Sequence, residues 1–519
     1  MPNIYRIHPA IGIARVGDSP NEYFVGPEAP GVPPSLNRPD APHDPNAGYK
    51  DDQGRIKRQG ARFRIYEYTF DDAGALIQAR EITAADAQIE WEVHLANRKA
   101  AAPNFRAFGR RNEGEDESTL IIDAGPQKIS GAGQDMKRLQ GRFMSVDVPL
   151  GDLLTDSAGR LIVLGGFGKS RSPLGRGLHN FANNDGWCDD VSDGPVRATI
   201  QLNGSAETVE AEPARVIVAP PDFAPPIENV VTLYDIVYNI ATKLHPLLAA
   251  QEDGRTLSFA SDIYPILSRP PNMHWVSDAA TLGHGPSRGG NFLTASQMQL
   301  LSSNDKSPNS PAFRRRNTVF MRLRRPQDLG GNQGDMPRLP GGDIPVTLTE
   351  VQYRLMEKWA NGEFEADWAG HPPKPPALDD IPIQDQPTAL DRAALEPCAG
   401  GGFFPGIEAG RLMREPSTYD QNQPLRISPQ LAAGALTAGM AVPWQADFRD
   451  CDDAGLSDWW PGQRPVEVFR GQRQVDWVPS GWEYADMVEK WSRLGFVVKE
   501  EGTDRYVEDE RSPTLNNEG

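Results

Sequence analysis

The stretch "LEPCAGGGFFPGIEAG" (395–410) sets a single thiol, Cys398, before four small residues, two aromatics and a Pro-Gly turn that leads to a carboxylate, Glu408. A structural metal site would need a second ligand two to four residues away, and none is there. A disulfide would need a partner that spacing alone does not name. A second stretch, "AVPWQADFRDC" (441–451), carries an indole, a carboxylate and another thiol. Pro443 suits the first position of a helix. A helix there puts Trp444, Asp447 or Phe448, and Cys451 on one face. The plainer alternative is an exposed Pro-Trp pair that caps a helix against the core.

Other stretches imitate familiar sites. "LIVLGGFGKSR" (161–171) has the strand, glycines and Gly-Lys-Ser of a phosphate loop, but that pattern needs a glycine where Val163 stands. A tight turn after a strand is the expectation. "NNDGWCDDVSDG" (183–194) holds four aspartates without the alternate spacing of a calcium loop. Asn, Asp and Gly are also the ordinary turn formers. The eight histidines are scattered, with no pair at metal-ligand spacing, so no metal site is expected.

The elements that must position these residues fall into two styles. "RFRIYEYTF" (62–70) alternates as a half-buried strand, and "RLIVLGGFG" (160–168), "VRATIQL" (196–202) and "ARVIVAPP" (214–221) continue a β-rich series. "IEWEVHLANRKA" (89–100) reads as strand then helix. A proline-rich joint, "PPDFAPPIENV" (220–230), follows, and the periodicity then turns helical in "TLYDIVYNIATKL" (232–244) and "DIYPILSR" (262–269). "TLTEVQYRLMEKWANGEF" (347–364) begins with a Thr cap and stops at Asn361-Gly362. "HPPKPPALDDIPIQDQP" (371–387) is an extended linker, and "GWEYADMVEKWSRLGFV" (481–497) a last amphipathic helix ending at Gly495. The expected fold class is α+β: a β-rich N-terminal domain, 1–225, and a mainly helical, loop-rich C-terminal domain, 226–519.

Composition sets the outer bounds. With 519 residues, two or more domains are expected. A net charge of −18 argues against nucleic acid, whose phosphates need a basic face. No apolar stretch approaches the roughly 18 residues that span a bilayer, so no membrane partner is expected. The N-terminus lacks the pattern of a standard secretory signal. Three cysteines are too few and odd in number for a disulfide scaffold. Cytoplasmic synthesis and maturation are expected, with the final location left open.

Five segments in order resemble the lysine ε-oxidase and glycine oxidase family: "YRIHPAIGIARVG" (5–17), "NNDGWCDDVSDGPV" (183–196), "LTEVQYRLMEKWANGEF" (348–364), "CAGGGFFPGIE" (398–408) and "PWQADF" (443–448). The chain end "WSRLGFV" also matches. The resemblance implies cysteine tryptophylquinone, a cofactor made from the enzyme's own side chains, with Cys398 bonded through sulfur to the indole of Trp444. Small residues at 399–402 would let the backbone come close. Cys451 is a poor rival, since seven helical residues put it about 10.5 Å along the axis from Trp444. A Cys398–Cys451 disulfide, or two free buried thiols, is the bland alternative.

Such a cofactor implies covalent catalysis. A primary amine adds to a quinone carbonyl as a Schiff base, a general base removes the adjacent proton, and oxygen reoxidises the ring. The products are an aldehyde or keto compound, ammonia and hydrogen peroxide. The resemblance further implies a small primary amine or amino acid as substrate, free or on a peptide. It implies a separate flavin-dependent maturation enzyme and a homo-oligomer. Relatives carry an aspartate four residues before the cysteine, where this chain has Ala394; Asp391, Glu396 or Asp447 could substitute. Cys188 stands where relatives carry an aromatic that lines the pocket. For the base the candidates are His274, His284 and Asp447, with Asp447 placed in maturation and His274 in proton abstraction. Arg411 and Arg414 are the nearest cations for a substrate carboxylate. The alternative is the same fold with an incomplete or absent quinone, acting as a binding or scaffold protein.

Overall fold

The computed structural model describes residues 3–71, 76–104, 109–337, 347–400, 407–450 and 460–517. A large mixed sheet dominates the N-terminal half. Its main path runs Lys137–Phe143, Val146–Thr155, Leu161–Gly165, Arg58–Phe70, Ile11–Arg15, Ala214–Ala219, Ser192–Leu202, Ala87–Val93 and Gln127–Ser130. The helices of eight residues or more lie beyond residue 230 among the described residues. The α+β expectation, β-rich first and helix- and loop-rich second, therefore holds.

The Ile11–Arg15 strand pairs parallel with Ala214–Ala219, in register from Arg215 opposite Ile11 to Ala219 opposite Arg15. Both strands are buried on two faces, as central strands of a covered sheet are. Successive side chains alternate between faces. Ile11, Ile13, Ile217 and Ala219 pack into a core shared with the helices, whereas Ala14, Val216 and Val218 pack into a core on the other side. Arg15 keeps the parity of Ile11 and Ile13, so the strand delivers a guanidinium to the helical side.

The helix Leu233–Leu244 begins with a capping box in which Thr232 and Asp235 satisfy each other's backbone N–H groups. Glu350–Ala360 begins in the same way, from Thr349 and Gln352, and stops at Asn361 and Gly362 as its sequence indicates. The helix Gln386–Leu395 lies over the sheet, with Leu390 against Tyr66 and Tyr68 on one side and Leu395 in the helical core.

That helix changes one expectation. The strand Arg58–Phe70 is buried on both faces from Phe63 to Tyr68, because its polar face is covered. Glu67, on the opposite face with Phe63 and Ile65, accepts from Tyr5 and Asn3. Two other expectations also fail. Residues 94–101 form a two-residue strand and one 3-10 turn, not a helix. The last helix covers only Tyr484–Lys490; Phe496–Lys499 pairs as a strand with Tyr506–Asp509. A Cβ at Gly495 would press on the Asp509 carbonyl and the Glu508 side chain, so this close pairing needs glycine.

The sheet-side core is not confined to the N-terminal half. It joins Trp91 and Val163 to Trp444, Phe448, Trp477 and Trp491. No described helix is long and apolar enough to cross a membrane.

Candidate active site

Cys398 sits just past the helix Gln386–Leu395. Its N–H donates to the Leu395 carbonyl at 3.1 Å, and its own carbonyl accepts from Leu233 N at 2.8 Å. Gly400 N then donates to Val231 O at 3.0 Å, and a Cβ on Gly400 would collide with the Thr232 carbonyl. The small residue is therefore required by a backbone-on-backbone approach. Residues 401 and 402 lie outside the described residues.

The thiol is 1% exposed and faces charge. Arg15 Nη2 lies 3.5 Å from Sγ and donates to Glu408 Oε1 at 3.0 Å, while Nη1 donates to Pro220 O at 3.0 Å. The thiol donates to the Ala394 carbonyl at 3.5 Å. Gln463 closes the group: it accepts from Ala399 N at 3.1 Å and donates to Pro397 O at 3.0 Å and to Glu408. Glu408 Oε2 is buried without a hydrogen-bond partner among the described residues. Burial, and then the Glu408 charge, push the Cys398 thiol well above its ordinary range. Burial raises Glu408 against the opposing pull of Arg15. Nearby Asp222 is pushed up to about 7, first by burial. A cavity of about 500 Å³ opens against this cluster, with Arg15, Asp222, Ala394, Glu396 and Cys398 in its wall.

Trp444 opens a short helix, Trp444–Asp450, and is 2% exposed, not the exposed Pro-Trp pair considered above. Its indole packs edge-on against Phe448 at 4.9 Å and Trp491 at 5.3 Å between centroids. Indole Nε1 is buried without a hydrogen-bond partner among the described residues. The loop 182–190 reaches across to this helix. Val442 N donates to Ala182 O at 3.0 Å, Asn184 Nδ2 to Val442 O at 3.0 Å, and Trp444 N to Asp189 Oδ2 at 3.0 Å. Buried Lys99 donates to the same Asp189 oxygen at 2.8 Å and to Ala441 O at 2.9 Å. Asp447 is buried one turn on. Burial pushes its carboxyl well above the usual range, against the pull of Lys99 and Arg464.

Cys398 thus belongs to the helical core and Trp444 to the sheet-side core. One segment holds both. Gln463 grips the Cys398 turn, while its neighbour Arg464 donates to Phe448 O at 2.7 Å and Trp460 packs on Phe448 at 5.5 Å.

The remaining candidates are spread more widely. Asp391 accepts from Ala10 N at 2.6 Å and pairs with His8 at 3.0 Å, so it ties its helix to the first strands and not to the thiol. Glu396 pairs with Arg392. Arg411 and Arg414 share the outer face of a 3-10 turn whose Met413 points inward; both are exposed, and Arg411 pairs with Glu415. The buried cation at Cys398 is Arg15. His274 bonds the Pro271 carbonyl at 2.7 Å and lies against Trp275, and His284 bonds Gly290 O at 2.8 Å. Among the described residues, neither histidine is joined to the Trp444 or Cys398 groups. Cys188 is buried in the sheet-side core, paired through its backbone to Arg171, and its thiol is pushed up to about 12 by burial and then by Asp189. Cys451 lies outside the described residues.

The phosphate-loop lookalike proves to be an anion nest filled from within. Phe167 N and Lys169 N both donate to Asp190 Oδ2, at 2.5 and 3.3 Å, and Gly166 packs against the same carboxylate. Gly168, at φ +66, lies so close to Trp491 that a Cβ would strike the indole. The glycines set the wall behind Trp444's aromatic neighbour.

Sequence reasoning did not single out Arg15, Asp189 or Lys99, and it noted Glu408 only as the carboxylate after the turn. Three of the four lie inside segments that carried the family resemblance, and that was the available signal.

Two family models match the chain: the L-lysine epsilon oxidase N-terminal model over residues 8–218 and the L-lysine epsilon oxidase C-terminal domain model over residues 330–470. L-lysine 6-oxidase of Marinomonas mediterranea is 26% identical, across 98% of this chain and 90% of that protein. The solved structure of the epsilon-lysine oxidase from Marinomonas mediterranea shares the fold, with a TM-score of 0.77 at 23% identity over 98% of this chain and 95% of the other. A second structure, of that enzyme's Schiff base intermediate with L-Lys, aligns with a TM-score of 0.75 at 23% identity over the same shares.

Proposed function

Because the chain belongs to the L-lysine ε-oxidase family, we propose that it is an amine or amino-acid oxidase whose cofactor is a cysteine tryptophylquinone built from Cys398 and Trp444. The observation that carries this reading is a buried free thiol and a buried indole whose two surroundings meet at the segment 460–464, through Gln463 at the Cys398 turn and through Arg464 and Trp460 at Phe448 of the Trp444 helix.

The residues present fit such a group. The indole Nε1 has no partner among the described residues, and each half has a buried acidic side chain in its surroundings, Glu408 at the thiol and Asp447 in the helix that Trp444 opens. When formed, the group supplies an electrophilic carbonyl for a primary amine and a ring that stores two electrons until oxygen removes them as hydrogen peroxide. Asp189 and Lys99 fix the start of the Trp444 helix, so the indole is held before any substrate arrives. Asp447, whose carboxyl burial pushes well above the usual range, can hold a proton one turn along the helix from Trp444, and replaces His274 as the favoured proton carrier. Phe448 and Trp491 pack against the indole and shield it from water.

The substrate in this account is a small primary amine or amino acid, and the chain's net charge of −18 draws amines and basic amino acids, which are cations, toward it. Ammonia and an aldehyde or keto compound are the other products. Oxygenation of the ring requires a flavin-dependent maturation enzyme acting on the cytoplasmic precursor, and the mature enzyme is a homo-oligomer.

A panel of primary amines and amino acids, assayed for peroxide and ammonia together, tests the function. Matched release of both from at least one primary amine, and from no tertiary amine, is expected. Protein with an intact visible chromophore that releases neither would overturn the proposal.

A further inference from the structure

The group around Cys398 holds more acid than its structural duties need. Arg15 brings one positive charge to a fully buried pocket and faces two acids there, the thiol at 3.5 Å and Glu408 at 3.0 Å. Glu408 spends one carboxylate oxygen on Arg15 and Gln463; the other, Oε2, is buried and bonded to nothing described. Asp222 is the third acid near the guanidinium, and with Arg15 and Cys398 it opens onto the 500 Å³ cavity. An uncommitted buried carboxylate oxygen is destabilising, so its retention asks for a use.

We infer that Glu408 is the proton acceptor of Cys398 and that Arg15 holds the resulting thiolate. The inference rests on the proposed function, for it names how the sulfur is readied to bond Trp444. In this step one proton moves from Sγ to the Glu408 carboxylate, which shares Arg15 Nη2 with the sulfur, and no electrons move. Thiol plus carboxylate become thiolate plus carboxylic acid, so Arg15 faces one negative charge before and after. Bonding sulfur to the ring then releases the displaced ring hydrogen as a proton, with two electrons that the flavin-dependent partner accepts. Before the transfer, the Glu408 charge disfavours the thiolate, which keeps Cys398 protonated and inert until the pair is used.

The test uses full-length precursor expressed without a maturation partner. Thiolate ultraviolet absorbance is followed against pH, and the trace of the Cys398→Ser variant is subtracted. Wild type should show no Cys398 ionisation through neutral and mildly alkaline pH. Glu408→Gln removes the competing charge and should bring the midpoint down by at least about one unit, a tenfold rise in the thiol's dissociation constant. Glu408→Ser carries the same expectation, should the glutamine variant not fold. Adding Arg15→Gln to either should abolish the gain. A Glu408 that only braced Gln463 would leave the titration unmoved. A midpoint unchanged by Glu408→Gln, or a double variant that titrates like the single one, overturns the inference. Peptide mapping of matured wild type decides the other issue: a moved titration without any Cys398–Trp444 link would contradict the proposed function and leave the proton pair standing.

Discussion

Asp189 and Trp444, 255 residues apart, meet through a 3.0 Å hydrogen bond in which the Trp444 N–H donates to the Asp189 carboxylate. The same oxygen takes Lys99 Nζ at 2.8 Å, and both charged side chains are fully buried. The N-terminal sheet therefore fixes the start of the helix that carries the indole.

Removing one member of such a buried pair leaves the other charge without compensation. Lys99→Met should destabilise the protein by about 3–5 kcal/mol. Denaturant unfolding measures this, and a loss below about 1 kcal/mol would show that Asp189 does not depend on Lys99.

Asp190 gives a pH dependence with a definite sign. Burial first, and then the neighbouring Asp189 charge, push its carboxyl from 3.8 to about 7. The folded state thus holds this proton more tightly than the unfolded chain. That contribution is complete below the unfolded value and is lost as pH rises through the folded one. Asp222, raised to about 7 chiefly by burial, acts in the same direction. Asp190→Asn keeps an acceptor for Phe167 and Lys169 and should flatten the decline in thermal midpoint between pH 4 and 8. An unchanged slope would rule Asp190 out as its source.

Gly168→Ala tests the wall behind the indole. The new methyl would strike Trp491 and sit at φ +66, where a side chain is strained. A loss of about 2–4 kcal/mol is expected from overpacking and strain together. Near-ultraviolet circular dichroism should change with it, because Trp491 packs on Trp444. A variant with wild-type stability and spectrum would contradict the close approach.

The legible parts of the sequence were local. The capping boxes at Thr232 and Thr349 and the Asn361-Gly362 stop depend on residues three or four apart, which a linear reading sees. The strand Arg58–Phe70 misled because its apparent polar face is covered by a helix that begins more than 300 residues later, at Gln386. The same limit hid the site's chemistry. Arg15 looks like a strand-end surface residue until parallel pairing with Ala214–Ala219 buries it against Cys398. Conversely, Arg411 follows the Pro-Gly turn closely in sequence, yet the 3-10 turn directs it outward. Asp391 is near Cys398 in the chain but spends its carboxylate on His8 and Ala10. Nearness along the chain and nearness to the thiol proved to be different properties.

Peptide mass mapping of protein matured in its native host tests the central claim most directly. The account predicts one cross-linked species containing Cys398 and Trp444, lighter by two hydrogens for the thioether and heavier by two oxygens less two further hydrogens for the quinone, with a visible absorbance that primary amine bleaches. Cys398 and Trp444 recovered on separate, unmodified peptides from such protein would contradict it.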